Sequence, residues 1–518
     1  MLSMSDLSEL GDIIDRTCDA NSAKELETII ATNSEYVESL NDSIEKVYGY
    51  FLLGNAYNGV RKTKHKENLD TVWSLEQEEV FQEIYYFRKA KLQNSFQDSD
   101  ITTQIAVNVN LGNAFNHYGR TVNAIKYFNN ATGLKFFDKN VVYHPNFILA
   151  NLNKALAFEY YAKLEYDHNH AFIFSQFSYK VFKETIELLT ICLQKYRDED
   201  DYYKNIKNTI LKKIEDYEKH WNIKDLEDLS YVQNYEVKYS TNEKTYRDWC
   251  LQNRLFLNPL NELGNYQIAS HDPLNLPTLT TDINDGFPRF ITYFNQMKQE
   301  YITYRHLLFE GLSKKTQKFY DKETSITDDY DYNLYSLDIE KIKLAYRGFY
   351  SIFDKIAYFM NEYFKIGLSE ANIDFRKIWY EYGKDRRTIK KIKSIFNQSK
   401  NLALRGLYLI SKDLFYGDEN SKEFLTVLEP EAEKLSEIRN HLEHKFISIK
   451  ALDIARFETV GDRERNFYIT EDDLEAKTLH LAQLAREAMI YLSFAVHAEE
   501  SRKSDEGMCM SIELTKYK

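Results

Sequence analysis

"LGNAFNHYGRTVNAIKYFNNAT", residues 111–132, decides the fold of the first half of this chain. Leu111 and Gly112 are followed by an aromatic at Phe115, a turn glycine at Gly119, and then Ala124, Phe128 and Ala131. Gly112 and Ala124 are small enough to let two antiparallel helices touch, and Phe128 is expected to fill the space between successive hairpins. A broken second copy lies upstream. "LLGNAYNG" supplies Leu53, Gly54 and Tyr57, and "FRKA" supplies Phe87 and Ala90, with an insertion between them. Residues 146–220 continue as amphipathic helices without a clean match.

This spacing resembles the tetratricopeptide repeat, whose signature is L-G-x2-Y, a small residue, then A-x3-F-x2-A. The resemblance implies a helical solenoid whose units stack and present a concave surface to a peptide or protein. An unrelated helical hairpin is the alternative.

The totals agree with a helical protein. A chain of 518 residues is long enough for two or three domains. Hydrophobic residues make up 43%, with 40 Tyr and 32 Phe, which excludes wholesale disorder. Six Pro and 17 Gly are too few breakers for many short strands and tight turns. The net charge of −13 excludes a bulk nucleic-acid coat but leaves room for a local basic site. Cys18, Cys192, Cys250 and Cys509 are scattered and form no CxxC pair, so neither a zinc site nor a disulfide framework is expected. The opening "MLSMSDLSELGDIID" lacks the apolar core of a signal peptide, and no run approaches the roughly eighteen apolar residues of a membrane span. A cytoplasmic protein without membrane contact is the expectation.

Pro259, Pro273, Pro277 and Pro288 cluster in "NPLNELGNYQIASHDPLNLPTLTTDINDGFP", which reads as a connector. Its leading "RLFLNPL" is apolar enough to dock on a neighbour. Beyond it, apolar residues recur at three and four in "SLDIEKIKLAYRGFYSIFDKIAYFMNEYF", "TIKKIKSIFNQSKNLALRGLYLISKDLF", "PEAEKLSEIRNHLEHKFISIK" and "TEDDLEAKTLHLAQLAREAMIYLSFAVHA". Four long helices read as a bundle. The expected division is 1–225 for the repeats, 226–334 for the connector, 335–505 for the bundle and 506–518 for a tail.

The third bundle segment carries the chemistry. Pro430 suits a first turn, and Glu429, Glu431 and Glu433 suit the positive end of a helix dipole. Leu435, Ile438, Leu442 and Phe446 form the expected buried stripe. Arg439 flanks that stripe, while Asn440 and His444, four apart, share the polar face. Arg439 and His444 diverge by about 140° on a straight helix, so one motif does not easily surround one phosphate. The bland reading is a solvated face with an Arg439–Glu443 pair.

Arg439, Asn440 and His444 match the R-x4-H motif of the HEPN superfamily, a helical-bundle fold, and "RLFLNPLNELG" resembles the lead-in of a tetratricopeptide-fused bacterial subfamily. The resemblance implies an all-α chain with an N-terminal repeat solenoid and a C-terminal HEPN bundle. It also implies a homodimer that shares one cleft and cuts RNA with no metal or other cofactor. The class implied is a toxin or antiviral protein of the abortive-infection type, with a phage-derived trigger or an inhibitor bound by the repeats. The residues suit that chemistry. An imidazole titrates near neutral pH, so His444 can take the 2′-hydroxyl proton or protonate the leaving 5′-oxygen. Arg439 can pair with phosphate oxygens and stabilise the charge of the transition state. Asn440 orients His444 or donates to phosphate. His441 reads as a surface residue.

"KDRRTIKKIK", 384–393, supplies Lys384, Arg386, Arg387, Lys390 and Lys391 beside Trp379, Tyr380 and Tyr382. Basic residues next to aromatics suit RNA backbone neutralisation and base stacking. An ordinary charged helix face is the alternative. "DHNH" at 167–170 lacks companions for a metal, and Leu334 stands where the calcium-like loop at 329–340 needs glycine. "RKTKHK" at 61–66 reads as a solvated basic loop. The competing function is a non-catalytic adaptor that binds protein partners and RNA.

Overall fold

The computed structural model describes residues 4–196, 201–280, 289–313, 319–327, 333–383, 389–397, 399–414, 429–451 and 467–503. The described residues are mostly helical, with only two two-stranded sheets. Among the described residues, nine long helices come first: α1 (Met4–Asp19), α2 (Ala23–Ser39), α3 (Ile44–Glu67), α4 (Glu78–Leu92), α5 (Ile101–Tyr118), α6 (Thr121–Gly133), α7 (Pro145–Leu164), α8 (His168–Tyr196) and α9 (Asp201–His220). From α2 to α9 each packs on its neighbour in sequence. Their starts are legible in the chain. Ser43 accepts from the Lys46 amide, Asp100 from the Thr103 amide at 2.9 Å, and Pro145 opens α7.

Gly54 and Gly112 play the same part in successive hairpins. A methyl group on Gly54 would stand 2.5 Å from the Phe87 ring, and one on Gly112 would stand 2.5 Å from the Phe128 ring. Each phenylalanine therefore fills the gap over the glycine of its own hairpin. This differs from the expected place of Phe128 between hairpins, because the missing side chain lies within the α5–α6 pair. "RKTKHK" is the last part of α3 and not a loop, and Arg61 is buried there against Glu83 at 2.8 Å.

Within the expected connector, α10 (Thr241–Gln252) leads into a wedge. Leu255 through Glu262 are buried without a break. Arg305 holds the wedge with two 2.8 Å bonds to Asp272 and one of 2.9 Å to the Leu255 carbonyl. The C-terminal half comprises α11 (Arg289–Leu312), α12 (Leu337–Tyr363), α13 (Leu402–Leu414), α14 (Ala432–His444) and α15 (Glu471–Glu500). α11 lies within the expected connector range and packs along α12. Gly311 gives Ile342 its place there. α15 is the spine, buried on nearly every side from Leu481 to Val496 and packed on α11, α12 and α13. Thr470 caps it, and Glu471, Asp472 and Asp473 fill its first turn. One hydrophobic core runs from Val37 to Val496, so the N-terminal helices, the wedge and the C-terminal helices are packed as one body.

The segment 389–393 departs from the expected helix. Strand β2 (Ile389–Ile392) pairs antiparallel with β1 (Tyr380–Tyr382), aligning Tyr380 with Ile392 and Glu381 with Lys391. Lys393 closes the hairpin with its amide on the Trp379 carbonyl at 2.9 Å. β-Branched Ile389 and Ile392 suit a strand, and the available edge at 380–382 outweighs the helical spacing. Strands β3 (Ser448–Lys450) and β4 (Tyr468–Thr470) pair in parallel and bring the end of α14 to the start of α15.

Candidate active site

α14 lies on α12 and α13 with Ala432, Leu435, Ile438 and Leu442 buried. Three of these are the stripe expected from the spacing. Two hydrogen bonds from α12 fix its place. The Tyr346 hydroxyl donates to the Leu435 carbonyl at 2.7 Å, and the Arg347 guanidinium donates to the Leu442 carbonyl. Pro430 stands just ahead of the helix, with Glu431 at the capping position.

Phe446, the fourth expected stripe residue, is 95% exposed. α14 ends at His444, Lys445 is extended, and β3 then pairs with β4. The apolar spacing continues past the last helical turn, so Phe446 no longer shares the stripe's face.

Arg439 is half-buried. Its guanidinium lies 5.5 Å from the centre of the Tyr350 ring and donates to the Asn440 side-chain oxygen at 3.2 Å. Burial, with Asp374 nearby, raises the pKa of Asp354, while the Phe375 amide, Arg439 and Lys377 pull it down. Tyr350 is raised as well, mainly by burial. Arg439 therefore faces a polar patch made by α12 and the 374–377 turn. Glu443 does not complete the bland pairing with Arg439. It faces Arg347, with 3.9 Å between Nε and Oε1.

Asn440 and His444 are exposed on the other side, and His444 is the last helical residue. Among the described residues no hydrogen bond joins His444 to Arg439 or Asn440. α14 is regular, so the angular separation read from the sequence holds. His441 is structural. Its Nδ1–H donates to the Phe446 carbonyl at 2.8 Å, and its ring stacks on Phe467 with centroids 4.5 Å apart. Elsewhere on the C-terminal half, Leu344 is 47% exposed and Tyr335 is 60% exposed.

The expected RNA-binding cluster is only partly visible. Lys384, Arg386 and Arg387 lie outside the described residues, as does the side chain of Lys390. Lys391 is exposed on β2, 3.6 Å from Glu381 across the hairpin. The expected stacking platform is overturned for two of its three rings. Trp379 is fully buried between Phe375, Phe396 and Tyr408, and Tyr380 is buried with its hydroxyl 3.0 Å from that of Tyr408. Only Tyr382 stays partly open.

A cavity of about 580 Å³ opens elsewhere, between α8 and the 225–271 stretch, lined by His170, Phe172, Asp225, Tyr231 and His271 among others. No α14 residue lines it.

Sequence reasoning missed the polar groups that join the two halves. Asp413 at the end of α13 is fully buried and takes the fork of Arg88 from α4, at 2.6 and 3.0 Å, together with Arg120 from the α5–α6 turn. Arg120 also reaches Glu487 of α15 at 2.7 Å. Gly119, with φ of 98°, makes this possible, since any side chain there would collide with the Leu402 carbonyl at the start of α13. In the sequence this glycine signals a turn and gives no sign of the neighbour it admits.

No helix among the described residues is long and apolar enough to cross a membrane. No curated protein and no solved structure matches the chain. Residues 281–499, which contain α11 to α14 and nearly all of α15, match the family model described as LA2681-like HEPN, and this match supports the HEPN superfamily for the bundle that carries Arg439, Asn440 and His444.

Proposed function

We propose that this chain is a metal-independent endoribonuclease whose site is built on α14. The observation that carries the reading is the Arg439-Asn440-x3-His444 motif on a bundle helix within the HEPN-matched segment, with His444 and Asn440 on its solvent face. None of the three contributes to the apolar stripe, and Asn440 and His444 are exposed, so core packing does not account for the pair. In the reaction, the ribose 2′-oxygen attacks the adjacent phosphorus and the bond to the 5′-oxygen breaks. His444 takes the 2′-hydroxyl proton or gives one to the 5′-oxygen. Arg439 neutralises charge on the phosphoryl oxygens, and Asn440 orients His444 or donates to phosphate. The products are a 2′,3′-cyclic phosphate and a 5′-hydroxyl.

The divergence of Arg439 and His444 on one regular helix favours a site completed by a second copy. Exposed Phe446, two residues past the end of α14, offers apolar surface beside it. Lys384, Arg386, Arg387, Lys390 and Lys391 are proposed to neutralise the RNA backbone, without the stacking first expected of Trp379 and Tyr380. The repeats sense a protein trigger or hold an inhibitor, in a cytoplasmic toxin or antiviral effector of the abortive-infection type.

The test is RNA incubated with the full chain. Cleavage should survive EDTA, leave 2′,3′-cyclic ends, and stop when the ribose 5′ of the cut is replaced by deoxyribose. Cleavage that EDTA abolishes and a divalent ion restores would overturn the mechanism. One observation favours the second reading, a non-catalytic adaptor: within the chain nothing described orients His444. RNA binding without cleavage at any protein concentration would select it.

A further inference from the structure

Arg88 does more than neutralise Asp413. Its Nη1 also stands 3.3 Å from Oε2 of Glu429. Glu429 leads directly into α14. Its carbonyl accepts from the amide of Ala432, the first residue of that helix, at 3.0 Å. Its Oε1 lies 3.4 Å from the Glu431 amide. One side chain of the repeats thus holds the end of α13 and the entry to α14 together.

Arg88 is aimed by the repeat itself. Phe87, its neighbour on α4, packs over Gly54, and the Arg88 guanidinium lies 5.1 Å from the centre of the Phe115 ring on α5. Arg120 covers the same ring at 5.0 Å. A movement of α4 against α5 therefore displaces the guanidinium on which Asp413 and Glu429 converge. The rest of the first turn of α14 is tied to the bundle, by Lys477 on Glu431 and by Lys434 on Asp473 at 2.8 Å.

We propose that Arg88 is a positioning residue for α14: through Glu429 it sets the entry of the motif helix and so transmits the state of the repeats to Arg439 and His444. This rests on the ribonuclease reading and supplies its regulatory link. Stability alone gives a poor account of Glu429. Burial raises its pKa, and Asp413 on the same arginine raises it further against the pull of Arg88. A buried second carboxylate at this point is retained at a cost to folding, which fits a constraint on geometry.

The test uses the full chain and two variants. Glu429→Leu fills the space but releases Arg88, which keeps its fork on Asp413. Glu429→Gln keeps a carbonyl acceptor in place. With Leu, amide hydrogen exchange over 432–437 should accelerate at least about tenfold while peptides from 481–496 change by less than about twofold. The kcat for RNA cleavage should fall at least about tenfold with KM nearly constant, and Gln should recover most of both. Unchanged exchange over 432–437 overturns the proposal. So does equal acceleration in both regions with a lower melting temperature, the mark of a merely structural contact. If the wild-type chain cuts no RNA, the ribonuclease reading falls and exchange alone judges the positioning. If Glu429→Leu does not fold, Arg88→Lys takes its place. It keeps the charge and loses the fork, and the same local acceleration is required of it.

Discussion

His444 and Arg439 are both polar residues of α14, yet they sit in different surroundings. His444 is exposed at the helix end, so His444→Ala should change stability by no more than about 0.5 kcal/mol. Arg439 covers Tyr350, and losing that contact should cost about 0.5–1 kcal/mol. Leu442 is buried, and Leu442→Ala should cost about 2–5 kcal/mol. Activity should rank the other way. Cleavage by His444→Ala should fall by about 10²–10⁴, with denaturant melts as the stability check. Full cleavage by both polar variants would remove the site from α14. At this scale the chain is readable where a residue's role follows from its position in a helix. Leu435, Ile438 and Leu442 are found that way. Phe446 escapes because the spacing runs on past a helix end that β3–β4 pairing determines, and that pairing joins residues about twenty apart.

The β1–β2 hairpin shows what local spacing cannot decide. Ile389, Ile392 and Phe396 recur at three and four as helix residues would, but the edge at Tyr380–Tyr382 recruits the first two into a strand. The aromatics that resemble a stacking surface in the sequence instead build that hairpin on α13 through Tyr408. Lys391 is exposed and can still face RNA. If Lys390 and Lys391 each neutralise one phosphate of a single strand, replacing both by Ala should flatten the slope of log K against log salt by about 1.4. Glu381→Ala should tighten binding slightly, since it frees Lys391 from its cross-strand partner. A slope unchanged by the double variant would return these lysines to an ordinary charged surface.

Across the whole molecule, the helical class is legible from breaker counts and periodicity. The junction is not, because Arg88, Arg120, Asp413 and Glu487 lie far apart in the chain and no local pattern links them. Their network makes a pH prediction. Burial alone would raise the pKa of Asp413, but Arg88 and Arg120 outweigh it and hold the carboxyl below its ordinary value. A carboxylate depressed by folding stabilises fully above its unfolded pKa, about 3.9, and loses that contribution as pH falls through the folded value. Acid melts should therefore be steeper for the wild type than for Asp413→Asn, which should already be weaker near neutral pH by about 3–5 kcal/mol. Arg439 and His444 diverge by about 140° on a regular helix, so a shared cleft needs two motifs, and a two-fold contact is the commonest way to bring them together. Light scattering at micromolar concentration should find a dimer, and Phe446→Glu should shift it toward monomer by placing charge where the most exposed apolar ring among the described residues stands. Mixing excess His444→Ala protein into wild type under exchanging conditions should form heterodimers with one intact and one damaged motif. Activity should then drop well below the amount of wild-type chain present. If activity simply tracks that amount, each chain works alone, and Arg439 and His444 must reach one phosphate by a movement of α14 within a single bundle.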